Sequence, residues 1–542
     1  MMKFGAFIPL SGSPHRHDPK TFHKLKKWEL AAALEVVHDY VKEGKVLGPF
    51  PADTRVCPLT GRPLFFYPSF VVPKSKPGAY RWVLNASYDR GGASLNDKIY
   101  EYSTKLVGFK ESIVPCLKTS FMSRIDLKKA FKQLFRTISQ MYLLGTVVDH
   151  FVFIDATMSM GLKNTCKLFE EDFMKAFVKG LIHHHPVLFT NEFGPLVGNY
   201  LDDIWFIAPT EEKNTLQLLV AEWWANWLGI ELNDDKRELP CTSTRHLGFK
   251  IDLRNKIVSV TAKHRQRCIS FFDLFMACVR TKGRIPTKKL QKILGLQMWI
   301  STVFRVMRQF LTSTCDILRV SQMKRYFYPR KHYDLVLRMI FNLKKWRRFI
   351  LQMPGASFSY VLGQLPWNRH CLSSDPAATY GMAGVLRFSP ETSRDKNCAG
   401  LFWQLSWDEW NLISPLMSLS KEKFHINAAE FLAALITIET FAEYCKEKIT
   451  ILGIDNTSAK SWLDSARCPK RPYDRCAQST HLFMLQQKMK IRTQWVSSVD
   501  NTLADQCSRK YYSKSGKGHL IAGVRLQKVS PKWQNVLRFC KK

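Results

Sequence analysis

The sequence predicts a mixed α/β protein with several domains, and three observations lead to this prediction. At 542 residues the chain is too long for a single hydrophobic core, and about two to four domains are expected at this length. Runs rich in β-formers alternate with helical patterns over residues 105–260 and again over residues 360–510. The intervening segment, 262–350, has helical periodicity and is very basic.

The charge of the chain predicts a polyanionic partner. The formal net charge is +36, which phosphate groups would neutralise, so nucleic acid is the expected partner. A membrane surface is the alternative, but no apolar run approaches the ~18 residues that a spanning helix needs. The start, Met1–Leu10, also lacks the pattern of a signal peptide. We therefore expect an intracellular protein with no membrane partner.

Cysteine and histidine patterns predict neither zinc nor disulfides. The 14 cysteines are scattered, without a Cys-x-x-Cys pair or a zinc-type Cys/His spacing. The run His183–His185 is more typical of a solvated surface than of a metal site.

The first elements are predicted in chain order. Residues 21–43 have helical periodicity, and residues 48–100 hold the β-rich runs Phe65–Val72 and Tyr80–Leu84 between Pro and Gly residues. Ser123–Asp126 then has the pattern of a strand that ends at a carboxylate.

Two adjacent carboxylates lie between two further β-rich runs. Asp202 and Asp203 follow Pro195–Asn199 and precede Ile204–Ala208, a pattern that predicts a hairpin with the acids at its tip. Adjacent carboxylates repel each other unless a cation lies between them, and Mg²⁺ prefers oxygen ligands. With Asp126 at the end of a neighbouring strand, the three acids could hold two Mg²⁺ ions about 3.5–4 Å apart. The ordinary alternatives are an acidic surface turn and, for Asp126, a helix N-cap.

These segments resemble the reverse transcriptases. Tyr200–Asp203 is similar to the Tyr-x-Asp-Asp signature of that family. Further segments resemble its other motifs in the right order, namely Val72–Lys74, Tyr80–Asn85, Arg90–Lys98, Asp126–Phe131, Met158–Asn164, Leu228–Lys236 and Arg245–Ile251.

The resemblance implies a role for individual residues. Lys74 and Arg81 would bind the triphosphate of the incoming nucleotide, and Arg suits a bidentate clamp. Phe131 would collide with a ribose 2′-hydroxyl, Gly161 would lie beside the templating base, and Lys236 would lie near the leaving phosphate. The ordinary alternatives are a core aromatic for Phe131 and an exposed cation for Lys236.

The second mixed region contains a second set of acidic residues. Asp375 is predicted at the start of a strand, Glu430 near the start of an amphipathic helix, Asp455 at the end of a strand and Asp505 on a helix start. Each acid alone could be a cap or a surface charge. Their order is similar to that of ribonuclease H, whose four carboxylates bind two Mg²⁺ ions and direct water onto an RNA phosphate. The resemblance therefore implies Mg²⁺ at both sites, with Mn²⁺ as an alternative ion.

The fold that the resemblance implies is α/β (α+β), a right-hand polymerase with fingers, palm and thumb followed by a ribonuclease H-like mixed-sheet domain. The expected segments are an N-terminal helical extension (1–45), fingers and palm (46–260), a basic helical thumb and connection (261–355), a ribonuclease H domain (356–510) and a basic tail (511–542).

The implied function is DNA synthesis on RNA and DNA templates, with removal of the RNA from RNA–DNA hybrids. The expected partners are an RNA template, a DNA primer, an RNA–DNA hybrid and dNTPs, together with other retroelement-encoded proteins. A cytoplasmic particle, the nucleus or both would be the location. The finer resemblance is to tyrosine-recombinase (DIRS-type) retrotransposons, with gypsy-like and pararetroviral polymerases as near alternatives.

Three positions depart from the family patterns. Lys129 stands where an acid is common, Met160 precedes Gly161 in place of a polar residue or Phe, and Val499 stands where ribonuclease H commonly has His. The charged pair Glu170-Glu171 is also unusual. A domesticated, catalytically weak nucleic-acid-binding scaffold is therefore the alternative function. An RNA-templated RNA polymerase is disfavoured by the bulk of Phe131.

Overall fold

The computed structural model describes residues 5–74, 77–100, 104–192, 194–281, 283–321, 324–353, 355–377, 380–389, 398–409, 426–465, 468, 471–509, 520–521 and 524–531. The chain packs as two compact units, Met1–Thr244 and Arg245–Lys542. Most of the predicted basic tail, 511–542, lies outside the described residues. Within the described part, no helix is both long and apolar enough to cross a membrane.

The first unit contains a four-stranded antiparallel sheet. Its strands lie in the order Glu238–Cys241, Phe121–Asp126, Asp203–Ala208 and Val197–Tyr200. The two central strands are buried along most of their length. The structure confirms the predicted strand that ends at Asp126 and the predicted strand that follows the acidic pair, which begins at Asp203.

Smaller sheets complete the strands of the first unit. A three-stranded sheet has the order Val46–Pro51, Phe151–Asp155 and Gly145–Val148, and two hairpins are formed by Ser69–Pro73 with Tyr80–Leu84 and by Thr190–Asn191 with Gly194–Pro195.

Helices pack against these sheets. The α-helices are Lys27–Lys42, Leu95–Lys98, Phe109–Ile113, Thr165–Lys167, Lys175–His184, Pro186–Phe189 and Glu211–Trp227, with a π-helical segment at Leu168–Met174. Short 3₁₀ helices occupy Pro19–Thr21, Pro115–Leu117, Ala130–Gln133, Ile138–Leu143 and Asp234–Lys236. Together they enclose one large apolar core.

The second unit begins with a mainly helical part. Its helices are Ala262–Arg280, Thr287–Val303, Thr312–Val320, Tyr333–Gln352 and Phe358–Leu362, with 3₁₀ helices at Arg305–Leu311 and Pro329–Lys331. Its short strands are Phe249–Asp252, Ile257–Val260, Ile285–Pro286, Tyr326–Phe327 and Ala356–Ser357, and Ser243–His246 spans the boundary between the units.

A seven-stranded mixed sheet organises the rest of the second unit. Its order is Lys490–Trp495, Ile449–Ile454, Trp367–Pro376, Gly381–Arg387, Gly400–Ser406, Val524–Leu526 and Leu520–Ile521. The first three strands are mutually parallel, and the next two alternate in direction. The helices beside it are Ile426–Thr440, Ala442–Cys445, Thr457–Ser465, Arg471–Gln486 and Thr502–Arg509. The mixed α/β class predicted from the sequence is confirmed.

Two local predictions in this unit are wrong. Asp375 lies near the end of the ten-residue strand Trp367–Pro376, not at the start of a strand. The helix Ile426–Thr440 is buried from Ala428 to Glu439 rather than amphipathic, because it packs across the sheet inside an apolar core and a helix that is apolar all round is a buried one.

Candidate active sites

Three carboxylates of the first unit meet at one end of the four-stranded sheet. Asp203 lies directly opposite Asp126 across the central strand pair and opposite Tyr200 in the hairpin. Asp202 lies in the turn, after Leu201 with its left-handed φ of 53°. The structure therefore brings Asp126, Asp202 and Asp203 together as the spacing predicts.

A lysine of the same unit neutralises part of this charge. Asp126 is 3% exposed, and its Oδ2 accepts hydrogen bonds from Lys236 Nζ at 2.8 Å and from Asn233 Nδ2 at 3.0 Å. Burial opposes the charge of Lys236, but its hydrogen bond and attraction to Asp126 raise its pKa above the ordinary value. Lys236 is an exposed cation, as the ordinary alternative states, and its ammonium also contacts a predicted metal ligand.

The pKa values of both acids in the turn are raised above the ordinary value of an aspartate. Burial raises the pKa of Asp202, and repulsion from Asp126 adds to this effect. For Asp203, burial raises the pKa to about 6, with Arg124 opposing and Asp202 adding to the rise. A bound divalent cation would relieve this repulsion, because Mg²⁺ favours carboxylate oxygens. The three side chains offer the oxygen ligands that Mg²⁺ prefers, although their carboxylate oxygens do not all lie within 4.8 Å of one another as those of a compact metal group do.

Glu170 holds the acidic turn from behind. Its side chain is buried on the π-helical segment Leu168–Met174, and its Oε2 accepts from the Leu201 amide at 2.9 Å and from Asn199 Nδ2 at 2.9 Å. Burial raises the pKa of this carboxyl. The charge that is unusual in the sequence thus supports the turn, and the charged run Glu170–Asp172 gives no signal of which acid is buried.

Lys74 and Arg81 lie on the hairpin formed by Ser69–Pro73 and Tyr80–Leu84. Burial lowers the pKa of Lys74, and the positive charges of Arg81, Lys129 and Lys236 lower it further. The electrostatic influence of Arg81 extends to Asp202, whose pKa it lowers. Cations thus gather around the acids, an arrangement that suits a polyphosphate.

Gly161 occupies a turn that only glycine fits. Its φ is +108°, and a Cβ atom would lie 2.4 Å from the carbonyl oxygen of Leu84. Asn96, in the predicted Leu-Asn element, donates to the Gly161 carbonyl at 2.7 Å and accepts from the Lys163 amide at 2.9 Å. Two predicted motifs are therefore in direct contact.

Phe131 lies on the 3₁₀ helix Ala130–Gln133, where its ring packs edge-on against Phe169 with centroids 5.2 Å apart. Phe131 is only partly buried. Its contact with the substrate therefore stays a prediction, as does the alternative that it is an ordinary core aromatic. Lys129, the departure next to it, forms an ion pair with Glu43 and lies 5.1 Å from the ring centroid of Tyr40.

A second carboxylate group lies in the second unit. Asp375, Glu430 and Asp455 place ligand oxygens within 4.8 Å of one another, the one such group of three or more His, Cys, Asp or Glu among the residues the structure describes. Glu430 Oε2 and Asp455 Oδ1 are buried without a hydrogen-bond partner. Buried unpartnered carboxylate oxygens are costly, so this donor set fits a hard divalent cation.

Burial and mutual repulsion dominate the electrostatics of this group. Burial raises the pKa of Glu430 to about 10, with Asp455 and Asp375 adding to the rise. Burial also raises the pKa of Asp375 to about 7, while a hydrogen bond from Ser508, 2.6 Å long, opposes it. Such strongly shifted carboxyls are typical of functional sites.

Asp505 is not part of this tight group. It lies on the helix Thr502–Arg509 as predicted, but its two carboxylate oxygens accept from Arg509 at 2.7 Å each. Its charge contributes to the raised pKa of Asp375, so it lies nearby. Its role as a metal ligand stays a prediction.

Two residues of the loop after Lys490–Trp495 complete the surroundings. Ser498 Oγ donates to Asp455 Oδ2 at 3.1 Å, a contact that no sequence signal predicted. Val499, the departure from the family pattern, is 81% exposed beside it. An apolar side chain cannot transfer protons or bind phosphate there.

No family model matches this sequence, and no curated protein matches it. Among solved structures, the chain is similar to the foamy viral protease-reverse transcriptase in complex with double-stranded DNA, with a TM-score of 0.44, 15% identity and coverage of 90% of this chain and 86% of that one. It is also similar to the same viral protein with an RNA/DNA hybrid, with a TM-score of 0.45, 14% identity and coverage of 95% and 59%.

Proposed function

We propose that the protein is a reverse transcriptase, a DNA polymerase that copies RNA and DNA templates, with a second site that cleaves RNA in RNA–DNA hybrids. The observation that carries the proposal is the pairing of Asp203 opposite Asp126 at the sheet end, with Asp202 in the adjoining turn. The net charge of +36 supports a nucleic-acid substrate.

Asp126, Asp202 and Asp203 would hold Mg²⁺ at the polymerase site. Bound there, Mg²⁺ supplies activation of the primer 3′-hydroxyl and charge stabilisation for the leaving pyrophosphate. Lys74 and Arg81 bind the triphosphate, and Phe131 excludes a 2′-hydroxyl. Lys236 keeps its proton, since its pKa is raised, and can exchange Asp126 for a phosphate oxygen.

Asp375, Glu430 and Asp455 would hold Mg²⁺ at the nuclease site, with Asp505 as the predicted fourth acid. Mg²⁺ bound there supplies the polarisation of water and phosphate that hydrolysis requires. Ser508 and Ser498 orient the carboxylates of Asp375 and Asp455 through their hydrogen bonds. Mn²⁺ is an alternative ion at both sites.

The biological context expected from the sequence is part of this proposal. We retain a DIRS-type retrotransposon as the proposed source, with other element-encoded proteins as partners and a cytoplasmic particle or the nucleus as the location.

One assay tests both sites at once. A labelled RNA template with a DNA primer is incubated with Mg²⁺ and dNTPs, and extension and RNA cleavage are scored together. We expect Asp202→Asn to lose extension by on the order of 10³-fold or more while cleavage persists, and Asp455→Asn to do the reverse.

Extension that persists in the Asp202→Asn variant would contradict the polymerase assignment. Tight, salt-sensitive binding of hybrids with neither activity would support the scaffold alternative. Preference for NTPs over dNTPs would support an RNA polymerase.

A further inference from the structure

A buried ion pair lies next to Phe131. Lys132, the following residue, is 5% exposed, and Asp155 is fully buried at the end of the strand Phe151–Asp155. The Lys132 ammonium donates to Asp155 and lies 5.1 and 5.3 Å from the ring centroids of Tyr40 and Trp82. Because desolvation offsets much of the attraction in a buried pair, stability alone is a weak explanation for it.

Asp155 also fixes the segment that leads to Gly161. Its Oδ1 accepts from the Thr157 amide at 3.1 Å and from Thr157 Oγ1 at 2.8 Å. Its Oδ2 accepts from Ser159 Oγ at 2.7 Å. Both oxygens of the Asp155 carboxylate therefore accept hydrogen bonds from this segment. Lys132 connects the turn that carries Phe131 to the same carboxylate.

The contacts then return to Phe131. The Ser159 carbonyl accepts from Thr165 Oγ1 at 3.0 Å, and Thr165 starts the helix that continues into the π-helical segment Leu168–Met174. Phe169 of that segment packs edge-on against the Phe131 ring. Phe131 is thus held on its backbone side by Lys132 and on its ring side by Phe169, and Asp155 connects the two.

We propose that the Lys132–Asp155 pair positions Phe131 and thereby sets the selection of deoxyribonucleotides over ribonucleotides. The proposal rests on the polymerase function proposed above and adds two positioning residues to it. A ring that excludes one hydroxyl discriminates by its position, so small displacements of its turn change the selection. Without Lys132, the turn that carries Phe131 loses its side-chain contact with the Asp155 carboxylate, and the contacts that remain lie farther along the chain, where Arg136 donates to the Asp155 carbonyl.

The test is a double-mutant cycle between Lys132→Met and Phe131→Ala. Single-nucleotide primer extension gives kcat/KM for a dNTP and for the matching rNTP. We expect Lys132→Met to lower the dNTP/rNTP ratio by about tenfold or more. In the Phe131→Ala background the same change should leave the ratio unaltered, because the pair acts through that ring.

Matched variants separate this effect from a loss of structure. Lys132→Arg keeps the charge and should keep the ratio, and Lys179→Met removes an exposed lysine of the same unit and should change nothing. Ser159→Ala removes one hydrogen bond to Asp155 without leaving a buried charge. Ser159→Ala should lower the dNTP/rNTP ratio by a smaller factor than Lys132→Met does. It provides the test of the proposal if the Lys132→Met protein does not fold.

The proposal is overturned if folded Lys132→Met and Ser159→Ala variants keep the wild-type ratio, or if the Lys132 effect is undiminished in the Phe131→Ala background. These outcomes require an active wild-type enzyme. A wild type that extends with neither nucleotide would instead overturn the proposed polymerase function and this proposal with it.

Discussion

The two carboxylate groups of this protein handle the same electrostatic problem differently. In the first unit, Asp126 accepts hydrogen bonds from Lys236 and Asn233. In the second unit, Glu430 Oε2 and Asp455 Oδ1 are buried without a partner. The first group has a lysine hydrogen-bonded to one of its acids, whereas the second has two acid oxygens without a hydrogen bond and only the weaker opposing effects of Ser508 and Arg509 on the pKa of Asp375.

This difference indicates how each site depends on metal ions. A group of buried acids whose repulsion is only partly offset holds protons until a divalent cation displaces them. The shift of the Glu430 pKa to about 10, compared with about 6 for Asp203, follows that pattern. We therefore expect the proposed nuclease site to be more sensitive to pH and Mg²⁺ concentration than the proposed polymerase site.

The largest of the three effects that test this comparison should follow from removing the support of the acidic turn. Glu170→Leu takes away the acceptor for the Leu201 amide, and a displaced turn should lower extension by about 100-fold while RNA cleavage is unchanged. Glu170→Gln keeps an acceptor oxygen and should retain most of the activity. Steady-state primer extension and cleavage on one hybrid measure both.

A neighbouring acid provides the control for that variant. Glu171 has a surface ion pair with Lys167 at 3.9 Å, so Glu171→Leu should have little effect. Equal extension by the Glu170→Leu and wild-type proteins would show that the turn needs no support from this carboxylate.

Mg²⁺ should stabilise the second unit more strongly as the pH rises. Because burial raises the pKa of Asp375 to about 7 and of Glu430 to about 10, their contribution to metal-free stability is complete below the unfolded values near 4. It is lost as the pH rises through the folded values. Mg²⁺ at a hundredfold excess over Kd should restore about 2.7 kcal/mol.

Melting temperatures measured with and without Mg²⁺ between about pH 6 and pH 9 check this prediction. The Glu430→Gln variant removes the most strongly shifted acid and should flatten the pH dependence of the metal-free protein. An Mg²⁺ effect of equal size at both ends of the range would contradict the assignment.

The smallest effect should come from Val499. Val499→His places a titratable ring in the exposed loop next to Ser498 and Asp455, where it could help product release. Cleavage turnover should rise by less than about tenfold, below the 10²–10⁴ range of a direct acid–base catalyst, and extension should not change. A larger gain would mean that the wild-type site lacks a chemical group rather than a release aid.

The sequence predicted the acids of both sites but not their supports. Asp126 and Asp202 could be placed because strand patterns and tight turns are local properties of the chain. Glu170 could not, since its partner Leu201 is distant in sequence and a buried acid has the same letter as an exposed one. The position of Asp375 near the end of its strand is not predictable for a related reason. The strand Trp367–Pro376 contains many polar residues, so its sequence lacks the apolar pattern of a long paired strand.

The α/β class, the acidic hairpin and the order of the second set of carboxylates follow from local sequence patterns, because periodicity and turn chemistry act over a few residues. The three-dimensional contacts were needed to show that Lys236 neutralises Asp126, that Glu170 holds the turn, that Lys132 joins Asp155, and that Asp505 lies outside the tight acid group. Contacts between segments that are distant in sequence set the burial and the charge pairing of these side chains, and the pKa values of the acids depend on both.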